Sequence, residues 1–154
     1  MSIKQLVQNQ YRKLVNKAVP YAGNIQMPPE GWIRTLRKAL NMSDAQLARR
    51  LEVTRSMVNK TEISELQGAI TVRTMQKFAA AMGCKFVYTI VPDSGVENLI
   101  LKQANKKAIA IVNTTNDHMA LEDQALSQED VAYEIDRITQ EYFKNTPHDL
   151  WDDN

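Results

Sequence analysis

Hydrophobic residues recur every three or four positions through most of the chain, a spacing that predicts a mainly helical fold. The pattern is clearest in residues 43–62, where the inward positions of two short helices are Leu47, Ala48, Leu51 and Val58. Ser43 and Gln46 have capping-box spacing, which predicts that the first of these helices begins there. Thr54 is a suitable N-cap for the second helix. The stretch therefore predicts two helices joined by a tight turn at residues 52–53.

The outward positions of the second helix are polar, basic or flexible: Arg55, Ser56, Met57, Asn59 and Lys60. Such a surface suits a helix in the major groove of DNA, where arginine can bind guanine and asparagine can bind adenine. We therefore predict that Arg55, Ser56 and Asn59 contact base edges. Thr54 and Lys60 are predicted to contact the DNA backbone. The alternative is an ordinary helical hairpin within a helical core.

Further helices are predicted at residues 2–19, 30–41, 72–82 and 94–112, and from residue 127 onward. Ser94 and Glu97 have the spacing of a second capping box, and a break or a fraying helix end is predicted at residues 113–116. The basic first helix is expected to pack either on its own domain or on another protomer. The last helix has a narrow apolar stripe, which suits a neighbouring helix or a partner protein.

Basic residues on the helices that flank the central pair are weaker candidates for DNA contacts. Arg37 precedes the pair, whereas Arg73 and Lys77 follow it near the start of the next helix. Basic side chains and backbone N–H groups at a helix start together favour a phosphate. We expect these three residues to contact the DNA backbone without reading its sequence.

Residues 84–91 are rich in strand-forming side chains, and Pro92 ends the run. A lone strand would leave its backbone groups without partners, so we predict antiparallel pairing with the same strand of a second copy. Phe86, Tyr88 and Ile90 would then lie in a homodimer interface, and the DNA site would be palindromic. The alternative is a hairpin with a weaker strand at residues 108–112.

Charge is distributed unevenly along the chain. Residues 1–91 contain 14 Lys/Arg and 5 Asp/Glu, whereas residues 92–154 contain 5 and 13. A basic half suits double-stranded DNA, and an acidic half is repelled by it. We predict three parts: a basic helix and linker (1–27), a DNA-binding domain with its strand (28–92), and an acidic helical extension with a tail (93–154).

The tail carries two apolar residues, Leu150 and Trp151, which either hold a partner protein or fold back onto the core. Cys84 is the only cysteine, and the two histidines lack metal-type spacing, so no metal or other cofactor is expected. The sequence shows no nucleophile–base pair and no phosphate-binding glycine loop, so we do not expect an enzyme. No apolar run has the length of a membrane span. The single cysteine allows no disulfide within the chain, which favours a reducing cytoplasm.

Residues 43–62 follow the pattern S-x-x-x-L-A-x-x-L-x-V-T-R-x-x-V-x-x-x-E, which resembles the helix-turn-helix of phage-repressor-like regulators. Two positions depart from that family. Asp44 occupies a position where glutamine commonly contacts the DNA backbone, and Glu52 occupies the turn position where glycine is usual. A non-glycine residue is strained at the turn if its φ is positive.

A wider resemblance covers residues 4–123. The motifs P-P-E-G-W-I-R (28–34) and G-C-K-F-V-Y-T-I-V-P (83–92) are similar to those of mobile mystery protein A, a family of small helix-turn-helix proteins from bacterial mobile elements. The second motif is also similar to the strand through which HipB-type antitoxins dimerise. In the mobile mystery family a neighbouring gene commonly encodes a Fic-domain protein, which implies a toxin–antitoxin-like pair.

Two functions follow from this resemblance and from the residues. The first is a homodimeric, sequence-specific repressor that acts on a palindromic operator and regulates its own operon. The alternative is an antitoxin that neutralises a neighbour-encoded Fic-domain toxin through its acidic C-terminal half. Fic-inhibiting helices carry S/T-x-x-x-E-G/N, which no stretch satisfies; Thr61 to Glu65 comes nearest but continues with Leu66.

Overall fold

The computed structural model describes residues 1–21 and 23–153, and within them all regular secondary structure is helical. The α-helices are α1 (Ile3–Asn16), α2 (Trp32–Ala39), α3 (Asp44–Leu51), α4 (Arg55–Leu66), α5 (Val72–Ala81), α6 (Val96–Leu121) and α7 (Gln128–Asn145). Short 3₁₀ helices span Val19–Tyr21 and His148–Trp151. The prediction of a mainly helical fold is confirmed.

The chain divides into two compact units. The central unit comprises Gly23–Thr89, and the terminal unit comprises Met1–Ala22 together with Ile90–Asn154. This division differs from the three consecutive parts that the sequence suggested, because the first helix belongs with the C-terminal helices.

The central unit consists of α2–α5 around one apolar core. Its buried residues are Ile33, Leu47, Ala48, Val58, Met75, Phe78 and Met82. Three helices begin at a side chain that accepts a backbone N–H bond: Ser43 for α3, Thr54 for α4 and Thr71 for α5. Ser43 forms the predicted capping box with Gln46. These caps satisfy N–H groups that the first turn of a helix leaves without partners.

The predicted strand at residues 84–91 is wrong: residues 84–92 have no regular secondary structure, and the described part of the chain contains no strand. A strand requires a second strand for its backbone hydrogen bonds. The alternative partner, residues 108–112, lies inside α6, so no hairpin forms either. Phe86 packs instead against the core of the central unit, and its ring stacks on Tyr88 with centroids 6.0 Å apart.

The terminal unit is built on a hairpin of α6 and α7. Four buried residues lie along α6 at helical spacing: Ile100, Ala104, Ala108 and Val112. The predicted break or fraying end at residues 113–116 is wrong, because α6 continues to Leu121. The hydroxyl groups of Thr114 and Thr115 donate to the carbonyls of Ala110 and Ile111, 2.9 Å away in each case. Both polar side chains are thereby accommodated within the helix.

The start of α6 also differs from the prediction. Its N-cap is Gly95, which provides no side-chain bond, rather than Ser94. Asn16 of α1 provides the cap: its Oδ1 accepts the Val96 N–H at 2.9 Å, and its Nδ2 donates to Glu97 at 2.8 Å. A residue 80 positions away therefore replaces the predicted local capping box and joins α1 to the terminal unit.

The tail folds back onto this unit. Leu150 is completely buried, in a cluster with Ile100 and Ala104. The prediction that Leu150 anchors a partner therefore does not fit the structure, since its side chain completes the core. Trp151, the next residue, is 57% exposed.

Candidate nucleic-acid interface

The turn between α3 and α4 determines how α4 is presented. Ala48 is almost fully buried between the helices, and its carbonyl accepts the Val53 N–H at 3.0 Å. Glu52 has φ 56° and ψ 40°, in the left-handed region. The expected strain at this non-glycine turn residue is therefore present, on the order of 1 kcal/mol. With Thr54 capping α4, the first residue of that helix is Arg55.

The first two turns of α4 place the predicted DNA-contacting residues on the surface. Val58 is completely buried, whereas the side chains around it are exposed: Arg55, Ser56, Met57, Asn59 and Lys60. Thr54 Oγ1 accepts the Met57 N–H at 3.1 Å. Its hydroxyl proton can therefore still be donated to a phosphate oxygen.

Arg55 is held by an acidic residue of the preceding helix. Its Nε donates to Asp44 Oδ2 at 2.8 Å, and the Arg55 side chain remains 69% exposed. Asp44 also accepts the Ala45 N–H at 2.8 Å. The hydrogen bond from Arg55 lowers the pKa of Asp44 below its ordinary value, with smaller contributions from Ala45 and the Asn59 side chain. Asp44 is consequently ionised at neutral pH and lies beside two of the predicted base-reading residues.

Arg37 is placed differently from the other predicted residues. Its Nε and Nη2 donate to the two carboxylate oxygens of Glu62, and its Nη1 donates to the Met42 carbonyl at 3.1 Å. The Arg37 and Glu62 side chains are only 12% and 8% exposed. These contacts within the central unit leave little of the guanidinium for a phosphate, and they indicate a structural role.

Arg73 and Lys77 are exposed on the first two turns of α5, which Thr71 caps. Their exposure is compatible with phosphate contacts, and the prediction that they make such contacts stays a prediction. A further arginine, Arg50, donates from Nη1 to the Ala81 carbonyl at 3.0 Å and so joins α3 to the end of α5.

The sequence did not predict the buried contacts of two acidic residues of α4. Glu62 pairs with Arg37, and Glu65 accepts the N–H groups of Trp32 and Ile33 at 2.6 and 3.1 Å. Glu62 lies one turn beyond Val58 and Glu65 lies two turns beyond it, on the inward face, and both are buried. Acidic residues on the apolar face of a helix are the signal that could have revealed them.

These contacts affect the charge of the interface. The central unit contains 10 Lys/Arg and 5 Asp/Glu, and the terminal unit contains 9 and 13. Four of the five acids in the central unit bind a basic side chain or a helix N-terminus: Glu30, Asp44, Glu62 and Glu65. The exposed bases Lys60, Arg73 and Lys77 therefore give this unit an excess of positive charge that favours a polyanion.

Among residues 1–21 and 23–153, no group of three or more His, Cys, Asp or Glu side chains is placed to hold a metal ion. Within the same residues, no helix combines the length and the apolar character needed to cross a membrane.

A comparison with known protein families finds a match within the central unit. Residues 33–88 match a family model described as helix-turn-helix. The match begins within α2 and includes the whole of α3, the turn and α4. The resemblance to the helix-turn-helix of phage-repressor-like regulators is confirmed. A comparison with curated proteins and with solved structures gives no match.

Proposed function

We propose, on the premise that residues 33–88 form a helix-turn-helix domain of a DNA-binding regulator, that this protein is a sequence-specific transcriptional repressor. It acts as a homodimer on a palindromic operator, and it regulates its own toxin–antitoxin-like operon. One observation carries the proposal: the second helix of the motif presents Arg55, Ser56 and Asn59 to solvent while Val58 is completely buried. Two of these side chains match the hydrogen-bonding edges of guanine and adenine.

The residues have separate roles in this proposal. Arg55, Ser56 and Asn59 read base edges, and Lys60 and Thr54 contact the backbone. Arg73 and Lys77 add exposed positive charge on α5, whereas Arg37 supports α4 from within. Contacts to phosphate position the domain, and contacts to base edges give it specificity.

The dimer is supported by the apolar residues that follow α5. Val87 and Tyr88 are 73% and 70% exposed, and Phe86 holds the start of this segment against the core of the central unit. Exposed apolar residues beside a packed anchor favour contact with another protein surface. A second copy is the partner that matches a two-fold symmetric operator. Sedimentation of the wild type and of Y88D tests this step: we expect a dimer that Y88D shifts towards monomer.

The function itself is tested by fluorescence anisotropy with DNA from upstream of the gene and with a scrambled duplex of equal length. Titrations from about 50 to 200 mM salt would show a steep dependence on salt for both duplexes. We expect a preference of about 10³-fold or more for the native DNA. Equal, weak binding to the two duplexes would contradict a specific repressor and reduce the helix-turn-helix domain to a scaffold.

A second candidate is an antitoxin that binds a Fic-domain toxin. The observation that favours it lies in the terminal unit. None of the residues of α1 is buried, and the apolar side chains of Ile3, Tyr11 and Leu14 are exposed on it. Trp151 is exposed in the same unit. Co-expression with the neighbour-encoded protein, followed by size-exclusion chromatography, tests this function. Substitutions Y11A and W151A are better probes than a deletion of residues 127–154, which would remove α7 from the hairpin.

A further inference from the structure

Asp44 belongs to the first helix of the motif, and its side chain contacts Arg55 of the second helix. It is the first residue of α3, its side chain is 17% exposed, and Oδ2 accepts the Arg55 Nε–H at 2.8 Å. Asn59 lines the same surface pocket as Asp44 and contributes to the lowering of the Asp44 pKa. Arg55 and Asn59 are one helical turn apart on the same face of α4, and the Asp44 carboxylate holds the first of them.

The edge of Arg55 that Asp44 binds is important for recognition. The bond uses Nε and leaves Nη1 and Nη2, which make no hydrogen bond to any residue in the described part of the chain. Two donors at the end of the guanidinium suit the O6 and N7 acceptors of guanine. An arginine held through Nε also has fewer rotamers to lose on binding, since its direction is already restricted.

The same carboxylate has the opposite effect on phosphates. Asp44 is ionised and lies at the N-terminus of α3, where it offsets the positive end of the helix dipole. A negative charge near the DNA backbone repels phosphate whatever the base sequence. Binding to arbitrary DNA is weakened, whereas an operator with guanine in the correct place is bound by the oriented Arg55.

We propose that Asp44 is a positioning residue that determines specificity: it directs Arg55 to one guanine of each half-site and disfavours binding to other sequences. This inference rests on the proposed DNA-binding function. It assigns a favourable role to the residue that departs from the glutamine common at this position. Aspartate at this position loses the contact that glutamine makes with the DNA backbone, and it increases the discrimination between DNA sequences.

The test compares D44N with E52Q. Asparagine has the shape of aspartate but lacks its charge, so D44N weakens the hold on Arg55. E52Q removes one negative charge from the same motif, and Glu52 makes no side-chain hydrogen bond or ion pair within residues 1–21 and 23–153, so it is a matched control. Sequences are first selected from a random duplex library with the wild type and with R55A. Affinities for the selected site and its single-base variants are then measured for all four proteins, after circular dichroism has shown that each is folded.

We expect R55A to lose the preference for one guanine per half-site. D44N should reduce the preference at that same position by at least about fivefold while strengthening binding to scrambled DNA. E52Q should leave the preference unchanged. An unaltered guanine preference in D44N, an equal effect of D44N and E52Q, or a loss spread over all positions would overturn the inference.

The outcome for the wild type separates this inference from the function on which it rests. Selection of no sequence by the wild type would contradict the proposed function, and with it the role of Asp44. Selection of a clear motif whose guanine depends on Arg55 but not on Asp44 would overturn the positioning role alone.

Discussion

Arg37 and Glu62 form a two-pronged ion pair inside the helix-turn-helix domain. Nε of Arg37 lies 2.7 Å from Oε1 of Glu62, and Nη2 lies 3.2 Å from Oε2. The pair joins α2 to α4, so it connects the helix before the motif with the helix that carries the predicted DNA-contacting residues. The position of α4 therefore depends on an ion pair inside the central unit.

Removing Arg37 should destabilise the domain. We expect R37A to lower the free energy of unfolding by about 3 kcal/mol, because it leaves the Glu62 carboxylate buried without its partner. R34A is the control: Arg34 and Glu30 are about half exposed, and such a pair contributes below about 1 kcal/mol. Urea unfolding in a W151F background isolates Trp32 as the reporter of this domain. An R37A variant of unchanged stability that loses affinity for all DNA would show that Arg37 binds phosphate.

Gly31 should resist substitution because two features of its position require glycine. Its φ of 82° and ψ of 165° lie in a region almost restricted to glycine. A Cβ at this position would also lie 2.8 Å from Glu65 Oε2, the atom that accepts the Ile33 N–H. We expect G31A to lower the free energy of unfolding by about 2 kcal/mol or more.

The matched control for this prediction is G68A. Gly68 also has a positive φ, 68°, but a Cβ there would meet no atom within 4 Å. The cost of G68A should therefore be limited to the backbone, about 1 kcal/mol. Equal costs for G31A and G68A in urea unfolding would show that the contact with Glu65 adds nothing.

Features that depend on neighbouring residues could be predicted from the sequence, whereas features that depend on distant residues could not. Helix starts at Ser43, Thr54 and Thr71 follow from residues three or fewer positions apart, and the structure confirms them. The cap of α6 depends on Asn16, 80 residues away, and no local pattern indicates it. The prediction of a strand at residues 84–91 was wrong for a similar reason, since a strand needs a pairing partner that lies outside the segment.

The candidate site shows the same division. Exposure of Arg55, Ser56 and Asn59 follows from their spacing around Val58, which is a local property of one helix. The contact between Asp44 and Arg55 depends instead on how α3 crosses α4, and the sequence indicated only an unusual residue at that position. Arg37 was predicted as a phosphate contact because an arginine on a helix resembles a surface residue until its buried partner is known.

The tail offers a comparison of two neighbouring apolar residues. Leu150 is completely buried against Ile100 and Ala104, whereas Trp151 is mostly exposed. We expect L150A to lower the free energy of unfolding by about 3 kcal/mol through lost burial and a new cavity. W151A should change it by less than about 0.5 kcal/mol. Urea unfolding followed by circular dichroism measures both, and similar costs for the two variants would contradict the packing of the tail.

Acid should weaken the terminal unit through Glu97. Its own backbone N–H and the Asn16 amide lower the pKa of Glu97 in the folded chain. The unfolded chain therefore binds the proton more tightly, so this contribution to stability is complete above the ordinary glutamate pKa of about 4.3 and is lost as the pH falls through the lower folded value. E97Q should be less stable than the wild type at about pH 6, and the difference should shrink towards about pH 3.

The measurement for Glu97 is urea unfolding at several pH values in a W32F background, where Trp151 reports on the terminal unit. N16A provides the matched comparison, since it removes the amide while retaining the carboxylate. We expect N16A to reduce the dependence on pH without abolishing it. A difference between E97Q and the wild type that is constant across the pH range would contradict the role given to this carboxylate.

The residues of α4 should separate into those that read bases and those that bind phosphate. We expect R55A and N59A each to weaken operator binding by about 1–3 kcal/mol and to relax specificity at one base position. K60A should weaken binding to all sequences equally and reduce the salt slope by about 1, because it removes one phosphate contact. The control is K102A, which replaces an exposed lysine on α6 of the terminal unit. It should leave the affinity for DNA and the salt slope unchanged. Anisotropy titrations on the operator and its single-base variants measure these effects. If R55A and N59A weakened binding by the same factor on every duplex, they would be phosphate contacts, and specificity would have to come from other residues or from the shape of the DNA.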